Sequence, residues 1–155
     1  MNDFDFFVGS WDSVQRRLKK ALAGSTEWDE FVGRSECVSL MGGAANLDEV
    51  TFPSKGYGGV TLRLFNPDRD EWSLYWISSR APVVEPPVVG RFTDGVGDFF
   101  CDDTHERQKI RVRYSWSNIT ATTARWEQAF AADNEKTWET NWIAEFRRRI
   151  QGGAI

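Results

Sequence analysis

The chain has 155 residues, 41% hydrophobic and 27% charged, with a formal net charge of −4. That length buries a core without staples, and the acidic balance argues against a general nucleic-acid binder, which needs clustered Lys and Arg. No apolar run nears the ~20 residues of a membrane helix, and Met1-Asn2-Asp3-Phe4-Asp5 lacks a signal peptide's basic start and apolar middle, so a cytoplasmic location is expected.

Turn signals recur about every 8–14 residues, from Gly24-Ser25 to Asp133-Asn134, the spacing of an antiparallel meander. Between them lie about ten candidate strands, near 5–22, 27–40, 45–52, 57–65, 71–80, 87–92, 97–103, 108–117, 123–131 and 137–148. The first is ambiguous, because Val14, Leu18, Ala21 and Leu22 also fall at helical spacing. A hairpin turning at Gly24-Ser25 would set Leu22 against Trp28, Lys20 against Glu30, Leu18 against Val32 and Arg16 against Arg34. The like-charged last pair is its weak point, and strand is preferred over helix.

Most of the eight tryptophans alternate with polar residues, as in Trp72-Ser73-Leu74-Tyr75-Trp76, so the rings share a sheet face. In the fourth segment, Arg63 joins the Trp72/Trp76 face if Phe65 opposes Trp72 and leaves it if Leu64 does. In the final hairpin, pairing Trp126 with Trp142 gathers Trp126, Phe130, Trp138 and Trp142 into one patch with Gln128 and Thr140 embedded in it. Arg125, Glu127, Glu139, Asn141 and Glu145 then occupy the opposite face, and the loop around Asp133-Asn134-Glu135 must be odd-numbered. Ten such strands bury one face and lose both edges by closing, so the expected fold is all-β, one antiparallel up-and-down barrel domain over 1–155. A barrel of that width is expected to keep an internal cavity.

The segment Phe6-Phe7-Val8-Gly9-Ser10-Trp11 resembles the Gly-x-Trp signature that opens the first strand of calycins, the lipocalin and fatty-acid-binding-protein superfamily. The resemblance implies that Trp11 packs across the closed end of the barrel against a basic residue of a late strand, Arg147 or Arg148 here. With Leu62-Arg63-Leu64-Phe65-Asn66-Pro67, Pro87-Val88-Val89-Gly90-Arg91-Phe92, Arg125-Trp126-Glu127-Gln128-Ala129-Phe130 and Thr137-Trp138-Glu139-Thr140-Asn141-Trp142, it extends over nearly the whole chain. Together these segments resemble an uncharacterised bacterial family with a lipocalin-like fold, which brings no activity with it. Nitrobindin, a calycin-like relative, holds haem through a late histidine; here the one histidine, His105, lies in a predicted turn, off the cavity and facing solvent.

Chemistry is sparse. Cys37 and Cys101 are too few and too far apart for a disulfide framework or zinc site, and with His105 they give no ligand set, so no metal and no cofactor are expected. The Asp102-Asp103-Thr104-His105-Glu106 run reads as an acidic turn, and no Gly-rich phosphate loop precedes a helix. The expected function is binding of a small, mostly apolar or aromatic molecule. Trp76, Trp126, Trp138 and Trp142 would supply contact area, with Gln128, Thr140 and Arg63 orienting its polar end. Plain core packing is the equal alternative for the tryptophans. An enzyme on the same barrel, an isomerase, cyclase or decarboxylase, would instead need an inward carboxylate such as Glu49 or Glu127 beside an Arg or Tyr. An exposed aromatic strip would pair the barrel with a second copy as a homodimer; no nucleic-acid or membrane partner is expected.

Overall fold

The computed structural model describes residues 2–150. Ten strands follow in chain order: β1 Gly9–Leu18, β2 Trp28–Leu40, β3 Ala45–Phe52, β4 Tyr57–Asn66, β5 Glu71–Ser78, β6 Val88–Thr93, β7 Val96–His105, β8 Gln108–Ser117, β9 Thr123–Ala131 and β10 Glu139–Arg148. Each pairs antiparallel with its neighbour in sequence, and β10 closes onto β1. The result is an up-and-down barrel with no free sheet edge. Segment 12–23 is strand as far as Leu18 rather than helix.

Alternation decides what faces inward. Trp11, Ser13 and Gln15 of β1 are buried in turn, as are Phe31, Gly33, Ser35 and Cys37 of β2. Of the outward residues between them, Asp12, Val14 and Arg16 are exposed. The β4–β5 register sets Phe65 opposite Trp72, so Arg63 takes the inward face with Trp72 and Trp76.

One end is plugged. A short 3-10 turn, Asp5–Phe7, drops Phe4 and Phe7 into the barrel, each 1% exposed. Phe4 meets Trp72, Phe92, Phe99 and Trp116, and Phe7 stacks on Trp11 at 5.2 Å. The Trp11 indole donates to Phe7 O at 2.9 Å. Arg148 seals the junction: its guanidinium lies 4.3 Å from the Trp11 ring. It donates to Val8 O and Phe6 O at 2.6 Å and to Ala121 O at 3.0 Å. Of the two arginines that the calycin resemblance offered, Arg148 packs on Trp11.

Two registers differ from expectation. In β1–β2, Leu18 rather than Leu22 opposes Trp28, and Arg16 opposes Glu30 instead of Arg34. The strand slides by four residues, which keeps every face and replaces a like-charged pair with an ion pair at 4.0 Å. In β9–β10, Trp126 opposes Ala144, while Trp142 opposes Gln128 and Thr140 opposes Ala129. A bulge at Asn141 supplies the extra residue, so Asn141 and Trp142 face the same Gln128. Between the last paired residues, Phe130 and Glu139, the connection runs over 131–138 and is even-numbered, not odd as the expected register required, because the bulge shifts the pairing by one.

Candidate functional site

Beyond the plug, the barrel keeps a cavity of about 80 Å³. Its walls alternate rings with a few polar groups because they come from the inward positions of eight strands. Trp76, Trp116, Trp126 and Trp142 border it with Phe52 and Tyr114, and Gln15, Ser35, Thr61 and Gln128 supply neutral polar atoms. Gly59 makes the Trp76 position possible, since a Cβ there would lie 2.4 Å from the indole. Trp142 is fixed by its indole N–H donating to Gln15 Oε1 at 2.8 Å. Its ring packs against Trp126 at 5.7 Å and Phe52 at 6.1 Å.

At the floor, against the plug, sits an ion pair. Arg63 Nη2 lies 2.5 Å from Asp48 Oδ2, with both side chains almost wholly buried. Arg63 Nη1 donates to Asn46 Oδ1 at 2.6 Å, and Asn46 donates to Phe4 O at 3.4 Å. The guanidinium lies 5.0 Å from the Phe4 ring and 5.4 Å from Phe7. Burial pushes the Asp48 carboxyl above the usual carboxylate range, against the opposing pull of Arg63. Burial also raises the Tyr114 phenol and lifts both thiols, Cys37 and Cys101, to about 11. Among the described residues, the only charges bordering the cavity are Asp48 and Arg63.

The opposite end is the mouth. Arg17 reaches over the Trp142 ring at 4.3 Å and donates to the Tyr57 hydroxyl at 3.5 Å. Gln128 borders both the inner cavity and a rim basin shared with Arg17, Lys19, Lys20, His105 and Phe130. His105 ends β7 half-buried, its ring 5.5 Å from Phe130, rather than standing free in a solvent turn. The wall is thinnest beside this mouth. β6 meets β5 only through Trp72↔Gly90, Ser73↔Val89 and Leu74↔Val88. Pro86 and Pro87 stop it there, since proline has no N–H to give a ladder.

Of the expected site residues, Arg63, Trp76, Trp126, Gln128 and Trp142 come together around the cavity. Trp138 and Thr140 do not. Trp138 lies in the loop before β10 and packs outside the barrel, 6.1 Å from the Phe100 ring with the Arg113 guanidinium 4.5 Å above it. Thr140 pairs with Ala129, which is buried but alternates with cavity-lining Gln128 and so lies on the other face of the wall. Both positions follow from the bulge, which reverses the alternation N-terminal to Asn141. Asn141 consequently turns inward and accepts from Gln128 Nε2 at 2.8 Å. Glu139 caps the mouth loop by accepting the Leu22 amide at 2.6 Å. Glu49 is exposed, and Glu127 pairs with Arg125 at 3.0 Å on the outside, so neither is the inward carboxylate. That carboxylate is Asp48. Gln15, which holds Trp142, was also legible: it lies four residues after Trp11 on the same strand face.

No family profile and no curated protein matches this sequence. Among solved structures, the chain is similar to the S-type phycobiliprotein lyase CPES from Guillardia theta, at 12% identity and a TM-score of 0.60, over 96% of this chain and 91% of that one. It is also similar to a protein of unknown function from the DUF3598 family of Nostoc punctiforme, at 9% identity and a TM-score of 0.52, over 94% of this chain. There it spans about half, 48%, of the partner's length. At these identities the likeness is one of fold. Among the described residues, no helix is long and apolar enough to cross a membrane, and no group of three His, Cys, Asp or Glu is placed to hold a metal ion.

Proposed function

We propose that this barrel binds a small, mostly apolar or aromatic molecule between Trp76, Trp126 and Trp142, with Gln128 and Arg63 contacting its polar atoms. The observation that carries this reading is the unfilled space itself. The plug fills one end with packed rings, and the same aromatic composition leaves a cavity in the middle. Affinity would come mainly from apolar area removed from water, at ~25 cal/mol per Å² before the costs of association. A phycobiliprotein lyase on the same barrel supports a small-molecule role and adds linear tetrapyrroles to the compounds worth offering. A cavity of about 80 Å³ is below the ~300 Å³ of ordinary ligand pockets. A one-ring compound therefore suits the closed form, and anything larger requires the mouth to open. Mass spectrometry of freshly purified protein, native against denatured, tests the reading together with a visible spectrum. A stoichiometric mass lost on denaturation is expected; a bare chain that also ignores single-ring aromatics would sink it.

One observation favours a second reading, an isomerase, cyclase or decarboxylase. Asp48 is an inward carboxyl beside a cation, with its pKa raised by burial, the arrangement that a cavity acid or base requires. On that reading Asp48→Asn abolishes turnover of a bound compound while leaving its affinity within a few-fold; equal turnover by the variant would remove Asp48 from any mechanism.

A further inference from the structure

The buried ion pair bears on the chemistry of the ligand. Resting on the binding reading above, we propose that the Asp48–Arg63 pair selects an uncharged ligand whose inner end both donates and accepts a hydrogen bond, such as a phenol, carboxamide or lactam. Carboxylates and ammoniums are rejected.

A barrel interior can be filled with apolar side chains, and an ion pair there is costly to keep. Part of this one is accounted for by the plug, through Asn46 and the Phe4 and Phe7 rings. Part is not. Arg63 Nε has no acceptor, and Asp48 Oδ2, though 2.5 Å from Nη2, has no well-directed donor. Both residues border the cavity. Buried polar groups without partners are uncommon in folded proteins, and these two atoms are sealed inside the pair, so a small polar molecule would meet the cavity edge of the same guanidinium and carboxylate. That edge presents a donor group and an acceptor group on a unit with no net charge. A hydroxyl or an amide answers both at once. A carboxylate would bring a second negative charge against Asp48, and an ammonium a second positive charge against Arg63. Among the described residues, no other charged group borders the cavity to balance either.

The test is a matched single-ring series at pH 7: benzene, phenol, benzamide, benzoate and benzylammonium, titrated by tryptophan fluorescence and calorimetry. Phenol and benzamide should bind about tenfold tighter than benzene, the gain expected of one or two well-made hydrogen bonds. Benzoate and benzylammonium should bind more weakly than benzene. The double variant D48L/R63M removes both charges together, avoiding a lone buried ion, and should bind phenol no tighter than benzene, since the hydroxyl then loses its partners. Equal affinities of wild type for phenol and benzene, or tightest binding of benzoate, would overturn the inference while leaving the binding reading intact. Failure of all five, benzene included, defeats both. If the double variant does not fold, the wild-type ranking alone decides.

Discussion

Asp48 couples its own titration to folding. Its neighbours are Arg63 on β4, Asn46 two positions back on β3, and the neutral Cys37 thiol across β2. Burial outweighs Arg63 and lifts its pKa above the ordinary value of 3.8. A carboxyl raised in the folded state stabilises most below its unfolded pKa, and that contribution is lost as pH rises through the folded value. The stability of the wild type relative to Asp48→Asn should therefore shrink as pH rises above about 4, measured by urea unfolding at each pH. A difference that grows with pH would mean that the ion pair dominates burial. The cysteines make a simpler prediction. Cys37 is 3% exposed and its thiol is pushed to about 11, so a thiol reagent at neutral pH should leave it unmodified until the barrel unfolds. Counting modified thiols by mass with and without denaturant checks this.

Within single strands, Trp142 and Trp138 separate lining from cover. Trp142 lies against Trp126, Phe52 and Arg17 and is held by Gln15, so Trp142→Ala should cost about 3–5 kcal/mol and enlarge the cavity. Trp138→Ala removes a ring from the outer surface and should leave ligand affinity unchanged. Urea unfolding and phenol titration of the two variants together make the comparison. The sequence held both residues in one patch because alternation is legible and bulges are not. Strand existence and, outside the first segment, near-final bounds follow from turn spacing and period two, while the expected 5–22 shortens to Gly9–Leu18 behind a 3-10 turn at Asp5–Phe7; even slips of register leave faces untouched. That is why the four-residue slide of β1 against β2 leaves Trp11, Ser13 and Gln15 together on one face. Below Asn141 the register differs by one, which moved Trp138 and Thr140 outside. Nothing in the local pattern marks that position; only the inward partners of Gln128, met on the neighbouring strand, decide it. Arg63 was undecided for a related reason, because two turn lengths between β4 and β5 fit the same apolar spacing, and Phe65 opposite Trp72 settles it.

At the scale of the whole barrel, closure is uneven. β1 pairs along most of its length with both β2 and β10, and Arg148 ties that region to the plug through the Phe6, Val8 and Ala121 carbonyls. The β5–β6 seam is short. Above Leu74 and Val88 the wall has no ladder, and the connecting segment Ser79–Pro86 is exposed throughout, with Val83 and Val84 at 56% and 70%. Local opening follows few buried contacts and unpaired backbone. The mouth should therefore widen at this seam, beside Trp76, and not at the plug. Hydrogen exchange followed by mass spectrometry should find fast exchange in 79–87 and slow exchange in the paired cores of β1, β2, β9 and β10. A bound aromatic compound should slow exchange at Trp76 and Ile77 while leaving the plug unchanged. Protection appearing first at Phe4–Phe7 would place the entrance at the other end and reverse the orientation of the ligand relative to Asp48 and Arg63.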